Sequence, residues 1–234
     1  MTQKTWLITG ASHGFGAEIA KAVLAAGDTL IATAGNQAAL QHFGSGKDVL
    51  ALSMDVTDEA QVKAGVAAGL ERFGRIDVLV NNAGFGLLGA MEECSAEEVE
   101  SVYRTNVFGL LNVTRSVLPN MRQHRSGPII NLSSIGGYRS SPAWGIYCST
   151  KFAVEGITEA LHGKLAPLGI HATLVEPGYF RTDFLDSSSL RQTVVQISDY
   201  IQTLGKTRDV AAGRNHQQQG DPVKLAQAIL IHNS

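Results

Sequence analysis

Cysteine is scarce in this chain. Cys94 and Cys148 stand alone among 234 residues, too few for a disulfide framework. Cys148 has no evident activating partner and reads as a packed thiol, not a nucleophile. No run of lysine or arginine occurs and the formal net charge is −2, which leaves no basic face for nucleic acid. The longest apolar stretches fall far short of the roughly 20 residues that span a bilayer. Met1-Thr2-Gln3-Lys4 leads directly into a first strand, with no signal peptide before it. His162, His171 and His216 have no metal-ligand spacing with one another or with the cysteines, so no metal is expected. Repeats and low-complexity runs are missing too. A cytoplasmic protein that binds neither nucleic acid nor membrane fits these absences.

What is present is ordinary globular material, 44% apolar and 17% charged, enough for a single α/β domain over residues 1–234. Strand and helix alternate. Strands are expected at Thr5–Thr9, Thr29–Ala34, Val49–Ser53, Val78–Asn81, Ile129–Leu132 and Ala172–Glu176, with helices near 15–26, 58–72, 96–122 and 144–166. This alternation predicts a doubly wound parallel sheet with helices on both faces, in order 3-2-1-4-5-6. Ligands bind beyond the carboxyl ends of such strands. Gly10, Asp55, Asn82, Ser134 and Pro177 all follow strands, so they converge on one edge.

Two motifs on that edge carry chemistry. Tyr147 and Lys151 lie four apart on a helix and therefore share a face. An ammonium beside a phenol favours the phenolate and lowers its pKa. A phenol tuned in this way exchanges a proton with a carbonyl or alcohol oxygen. At the other end of the chain Trp6-Leu7-Ile8 runs into Thr9-Gly10-Ala11-Ser12-His13-Gly14-Phe15-Gly16 and then a helix. A glycine-rich strand-to-helix turn lets the backbone and the helix N-terminus meet a pyrophosphate.

The glycines fall as Gly-x-x-x-Gly-x-Gly. With this spacing the chain resembles the short-chain dehydrogenase/reductase family over nearly its whole length. Asn81-Asn82-Ala83-Gly84, Asn106, Ser134, Tyr147 with Lys151, and Pro177-Gly178 with Thr182 match its motifs in order. The resemblance implies a Rossmann fold and hydride transfer between NAD(P)(H) and a ketone or secondary alcohol. It implies a catalytic set of Asn106, Ser134, Tyr147 and Lys151. Tyr147 would be the acid in reduction, Lys151 would hold the nicotinamide ribose, Ser134 would donate to the substrate oxygen, and Asn106 would interrupt its helix to anchor a water. Ser133 competes with Ser134, but the offset of thirteen from Tyr147 favours Ser134. The resemblance further places Gly10, Ser12, His13, Gly14, Phe15 and Gly16 against the cofactor, with Pro177, Gly178, Phe180 and Thr182 on its nicotinamide side. Asn82 and Gly84 would pass beneath the ribose. Asp55 would meet the adenine amino group with Val56 against the ring, although Asp55 or Thr57 also suits a helix start.

No acid closes the second strand, where Ala34-Gly35-Asn36 stands, so NADP(H) is expected over NAD(H); no arginine occupies Gly35 either. Phe85, Leu87, Leu88, Tyr138, Trp144, Tyr179, Phe184 and Leu185 suggest an apolar carbonyl substrate. The resemblance implies that residues 182–220 are the substrate loop or lid; the other reading is a surface helix and loop. Within them a helix is expected to start near Asp186 and carry Leu190, Val194, Ile197, Ile201 and Leu204. Another begins after Asp221-Pro222, and the chain stops before the family's seventh strand. Val99, Val102, Val107, Leu110, Leu111 and Val113 on one long helix, and Phe152, Val154, Ile157 and Leu161 on the next, exceed one apolar stripe. The resemblance implies a two-fold homodimer through these helices, expected in place of a tetramer; the other reading buries these residues within one subunit. The other reading of the chain is a catalytically idle sensor of nicotinamide nucleotides.

Overall fold

β1 (Thr5–Thr9) is buried at every residue, as a strand paired on both sides and covered on both faces must be. It lies mid-sheet in a computed structural model that describes residues 3–233; Met1 and Thr2, read above as leading into β1, lie outside the described residues. Around it are α1 (Gly14–Ala25), β2 (Thr29–Ala34), β3 (Val49–Ser53), α2 (Glu59–Phe73), β4 (Val78–Asn81), β5 (Gly86–Leu88), α3 (Ala96–Tyr103), α4 (Leu110–His124), β6 (Gly127–Leu132), α5 (Gly145–Leu165), β7 (Ile170–Val175), β8 (Leu190–Gln192), α6 (Ile201–Gly213) and α7 (Pro222–Asn233). The main sheet runs β3-β2-β1-β4-β6-β7, all parallel. That is the expected order once the short β5 is set aside.

Alternation along the strands builds two cores. Trp6 and Ile8 face one side with Ile19, Val23, Leu30 and α7's Ala226 and Ile229. Leu7 faces the other with Ile31, Val62, Leu79, Val113 and Ile129. Period-two side chains between two helical layers give this division directly. Among the described residues, no helix is long and apolar enough to cross a membrane.

The helical stretch 96–122 is interrupted at Asn106, as expected: residues Arg104–Gly109 form a π-helical turn between α3 and α4, with Asn106 buried inside it. Three expectations need correction. The cap of α2 is Asp58, whose carboxylate accepts from Ala60 N at 2.9 Å and Gln61 N at 3.1 Å; Asp55 and Thr57 precede it. The helix expected from Asp186 does not form there. Leu190–Gln192 is instead a strand, parallel to β5, and a helix starts only at Ile201. Helical spacing of apolar residues lost to a non-local pairing that periodicity does not reveal. Finally, Val102, Val107, Leu110, Val113 and Val154 are buried within this one chain, so much of the apolar excess on the two helices is already covered.

Candidate active site

The glycine loop is held open by its own main chain. Gly10 and Gly14 have φ of +64° and +57°, in the region that L side chains avoid. A Cβ on Gly16 would lie 2.3 Å from the Gly10 carbonyl oxygen, so only glycine fits. Asn82 braces the loop from β4: its Nδ2 donates to the carbonyls of Thr9 and Gly10, each at 2.9 Å. The Thr9 hydroxyl in turn accepts from Asn82 N and Ala83 N at 3.0 Å.

Tyr147 and Lys151 project from α5, both 7% exposed. Burial raises the Tyr147 phenol above its ordinary value, and a hydrogen bond with Ser134 only partly offsets this. The expected lowering by the lysine is therefore not what the structure gives: burial sets the direction. Burial also lowers Lys151, to about 8, against the opposing charge of Glu155. The Lys151 ammonium lies 5.8 Å from the Tyr147 ring centroid and donates to the Leu132 carbonyl at 2.7 Å. Asn106 is fully engaged. Its Oδ1 accepts from Phe85 N at 3.0 Å, while Nδ2 donates to Phe85 O at 2.9 Å and Thr150 Oγ1 at 3.1 Å. A Cβ on Gly84 would sit 3.0 Å from Asn106 Oδ1 and 3.9 Å from Lys151 Nζ.

These groups open on one cavity of about 630 Å³. Of the residues singled out above, Gly10, His13, Gly14, Phe15, Asn82, Gly84, Ser134, Tyr147, Lys151, Pro177, Gly178, Phe180 and Thr182 line it. Among the described residues no carboxylate side chain does; His13, Arg139 and Lys151 are the basic residues of the lining. That lining suits an anionic dinucleotide. Gly16 and Asn106 are buried and do not line it; half-buried Ser12 and exposed Gly35 lie outside it.

Other residues lie elsewhere. Asp55 lines a separate polar hollow with Arg104 and Arg191, and one of its oxygens accepts from both Thr57 N and Thr57 Oγ1 at 2.8 Å. Val56 packs in the core with Val62 and Val113. Of the apolar set, Leu87 and Leu88 are buried in β5 at 1% and 0% exposure and do not line the cavity. Phe85, Tyr138, Trp144, Tyr179, Phe184 and Leu185 do. Trp144, Tyr147 and Phe184 form a cluster, with Tyr147 centroids 5.7 Å and 5.5 Å from the other two.

The segment 182–220 is tied down at several points. Its base closes where Phe180 bridges Gly220 and Arg181 Nη1 donates to the carbonyls of Gln218 and Gln219 at 2.9 and 3.0 Å. Buried Glu93 accepts from Ile197 N at 2.9 Å and Ala90 N at 2.8 Å, and pairs with Arg208. His13 Nε2 meets Ser189 Oγ at 2.8 Å and Nδ1 meets Ser12 Oγ at 2.9 Å. His13 therefore joins the glycine loop to this segment. Glu93, Ser189 and Gln218 escaped the sequence reading because their partners are distant in the chain. His216 Nε2 approaches Asp186 Oδ1 at 3.3 Å beside Asp183, a proximity that no spacing announces.

A buried Tyr/Lys pair and a glycine cradle on one edge of a parallel sheet define a nucleotide-dependent α/β enzyme site. The family model for short chain dehydrogenases matches residues 4–193, and the chain belongs to that family. It is 39% identical to the 3-ketodihydrosphingosine reductase of Bacteroides thetaiotaomicron, over 95% of this chain and 81% of that one. A short-chain dehydrogenase from Streptomyces avermitilis superposes with a TM-score of 0.91 at 41% identity, covering 98% of this chain and 83% of the other. A Burkholderia phymatum relative in complex with NAD gives 0.86 at 28%, covering 97% and 84%. Solved neighbours carry NAD, NADH or NADP. The protein is thus an NAD(P)-dependent oxidoreductase of the short-chain dehydrogenase/reductase family, acting on small molecules.

Proposed function

We propose that this protein is a carbonyl reductase for an apolar ketone, using NADP(H). The observation that carries the reading is the buried Tyr147 phenol paired with Ser134 at the wall of an aromatic-lined cavity. A bound nicotinamide supplies the hydride. Tyr147, protonated because burial keeps its proton on, donates to the carbonyl oxygen as charge develops there. Ser134 stabilises that oxygen with a hydrogen bond. Lys151 holds ribose hydroxyls and its charge assists the phenol in releasing its proton; Asn106 fixes the wall through Phe85. Gly10, Gly14, Phe15 and Gly16 form the pyrophosphate cradle, and Pro177, Gly178, Phe180 and Thr182 bound the nicotinamide end. Residues 182–220 act as the substrate lid, latched by His13 to the cradle. Asp55 is kept as the adenine contact through its free oxygen. The name of the Bacteroides relative, a reductase of a keto group, agrees with this direction. Oxidation of reduced nicotinamide in the presence of a panel of ketones, followed by absorbance, tests the reading; no turnover with any member of a broad panel would favour the idle sensor.

Preference for NADP(H) rests on the end of β2. A side chain on Gly35 would meet nothing within 4 Å, and Asn36 turns its amide oxygen to Ala38 N at 3.0 Å. No acid there repels a 2′-phosphate. The expected result is that Ala34→Asp shifts preference towards NAD(H), and that Gly35→Arg tightens NADP(H) by about tenfold through a charge-assisted contact. Titration of both cofactors against the three proteins checks it. Wild type binding NAD far better than NADP would overturn the preference.

We also infer a homodimer through α4 and α5. After burial within one chain is accounted for, Phe108 in the π turn that leads into α4 remains 52% exposed and Phe152 on α5 47% exposed, an apolar pair that a self-complementary contact would cover. Light scattering should give the mass of two chains, and Phe108→Glu with Phe152→Glu should give one. An active wild-type monomer would refute the interface.

A further inference from the structure

Three consecutive residues at the end of β6 are each tied to α5, and the ties fall on one helical face. The Leu132 carbonyl accepts from Lys151 Nζ at 2.7 Å. The Ser133 hydroxyl donates to Glu155 Oε1. Ser134 hydrogen-bonds with Tyr147. Residues 147, 151 and 155 succeed one another at four-residue steps, one above the next on the helix. The fit at the third tie is close: a Cβ on Gly137 would lie 2.4 Å from Glu155 Oε1 and 2.6 Å from Ser133 Oγ.

Resting on the carbonyl-reductase reading of this site, we propose that Glu155 is a positioning residue of the reaction. It extends the Tyr147–Lys151 pair by one turn, fixes through Ser133 the strand end that carries Ser134, and sets a negative charge one turn from the buried ammonium. Ser133 is thereby distinguished from Ser134. One hydroxyl faces Glu155 and holds the backbone; the other faces Tyr147 and meets substrate.

The charge has a direction of action. Glu155 is the charged group that opposes the loss of the Lys151 proton on burial. The other titratable groups near Lys151 on α5 are Tyr147 and its neighbour Cys148. The β4 side and the π turn bring neutral Gly84 and Asn106, and the β6 side brings neutral Leu132, Ser133 and Gly137. On β7, which packs against α5, His171 lies against His162, their rings 6.5 Å apart. Removing the Glu155 charge therefore makes Lys151 lose its proton at lower pH, and the alkaline fall of ketone-reduction kcat/KM moves down with it.

The test uses Glu155→Gln, which keeps an acceptor for Ser133 but removes the charge, Glu155→Asp, which keeps the charge, and Ser133→Ala, which removes only the tie. Glu159→Gln, on the same helix and exposed, is the control. Glu155→Gln should shift the alkaline limb down by roughly half a pH unit to one unit, with Glu155→Asp restoring the wild-type limb. Ser133→Ala should lower kcat about three- to tenfold, with the limb in place and cofactor affinity within about twofold. A Glu155→Gln limb that coincides with the wild type, or a uniform loss at all pH values that tracks a fall in melting temperature, overturns the proposal. Should Glu155→Gln fail to fold, Ser133→Ala decides: unchanged kcat overturns the tie. A Tyr147→Phe enzyme that still turns over would instead sink the underlying reading, so the two failures are distinguishable.

Discussion

Tyr147→Phe is expected to lower kcat for ketone reduction by about a hundredfold to ten-thousandfold, the usual contribution of a positioned general acid. Cofactor affinity should stay within a few-fold, because the contacts proposed for the glycine cradle and Lys151 are left in place. The ring remains, so its contacts with Trp144 and Phe184 survive and the cavity wall keeps its shape. The pH behaviour sharpens the test. Burial holds the phenol above its ordinary value, so it carries its proton across the whole neutral range. Reduction should then be flat with pH until Lys151, near 8, begins to lose its charge. Oxidation of the corresponding alcohol needs the phenolate and should rise with pH. Rapid-mixing measurement of kcat alongside cofactor titration separates the two effects. Near-normal turnover in the Phe variant would remove Tyr147 from the mechanism.

Legibility in the sequence followed the range of the interactions. Tyr147 and Lys151 were readable because a helix fixes residues four apart on one face, whatever surrounds them. The glycine loop was readable because Gly16 abuts the Gly10 carbonyl, a local constraint that no other residue meets. The six main strands emerged because each is an apolar run closed by a turn. The helix expected from Asp186 failed for the opposite reason. Leu190 and Ile201 share helical spacing, but β8 is stabilised by β5, a hundred residues earlier in the chain, and nothing local records that partner. Asn106 was expected to interrupt its helix, yet its form as a π turn depends on hooks to Phe85 and Thr150. Electrostatics was least legible. The pair was expected to lower the phenol, and only the depth of burial shows that desolvation wins.

Lys151→Met is expected to abolish turnover and yet make the protein more stable. In the folded chain Lys151 titrates near 8, against 10.5 for an unburied lysine. The folded state therefore holds this proton less tightly than the unfolded state does. The sign follows from linkage. Below about pH 8 the full cost of burying the cation is present; between 8 and 10.5 it fades as the folded lysine becomes neutral. The shift corresponds to on the order of 3 kcal/mol. Loss of the hydrogen bond to the Leu132 carbonyl returns about 1 kcal/mol of that. A net gain of about 2 kcal/mol raises the melting temperature of a domain this size by about 4–8 °C. Methionine fills a similar volume in the apolar wall, so no cavity opposes the gain. The advantage of the variant should shrink as pH rises through 8 towards 10.5, while cofactor protects wild type against heat more than it protects the variant. Melting curves at neutral and alkaline pH, with and without cofactor, check each part. A variant that melts below wild type at every pH would show that the lysine is held by attractions stronger than the cost of its burial. The expected outcome makes Lys151 a residue kept for ribose binding and proton transfer at the expense of stability.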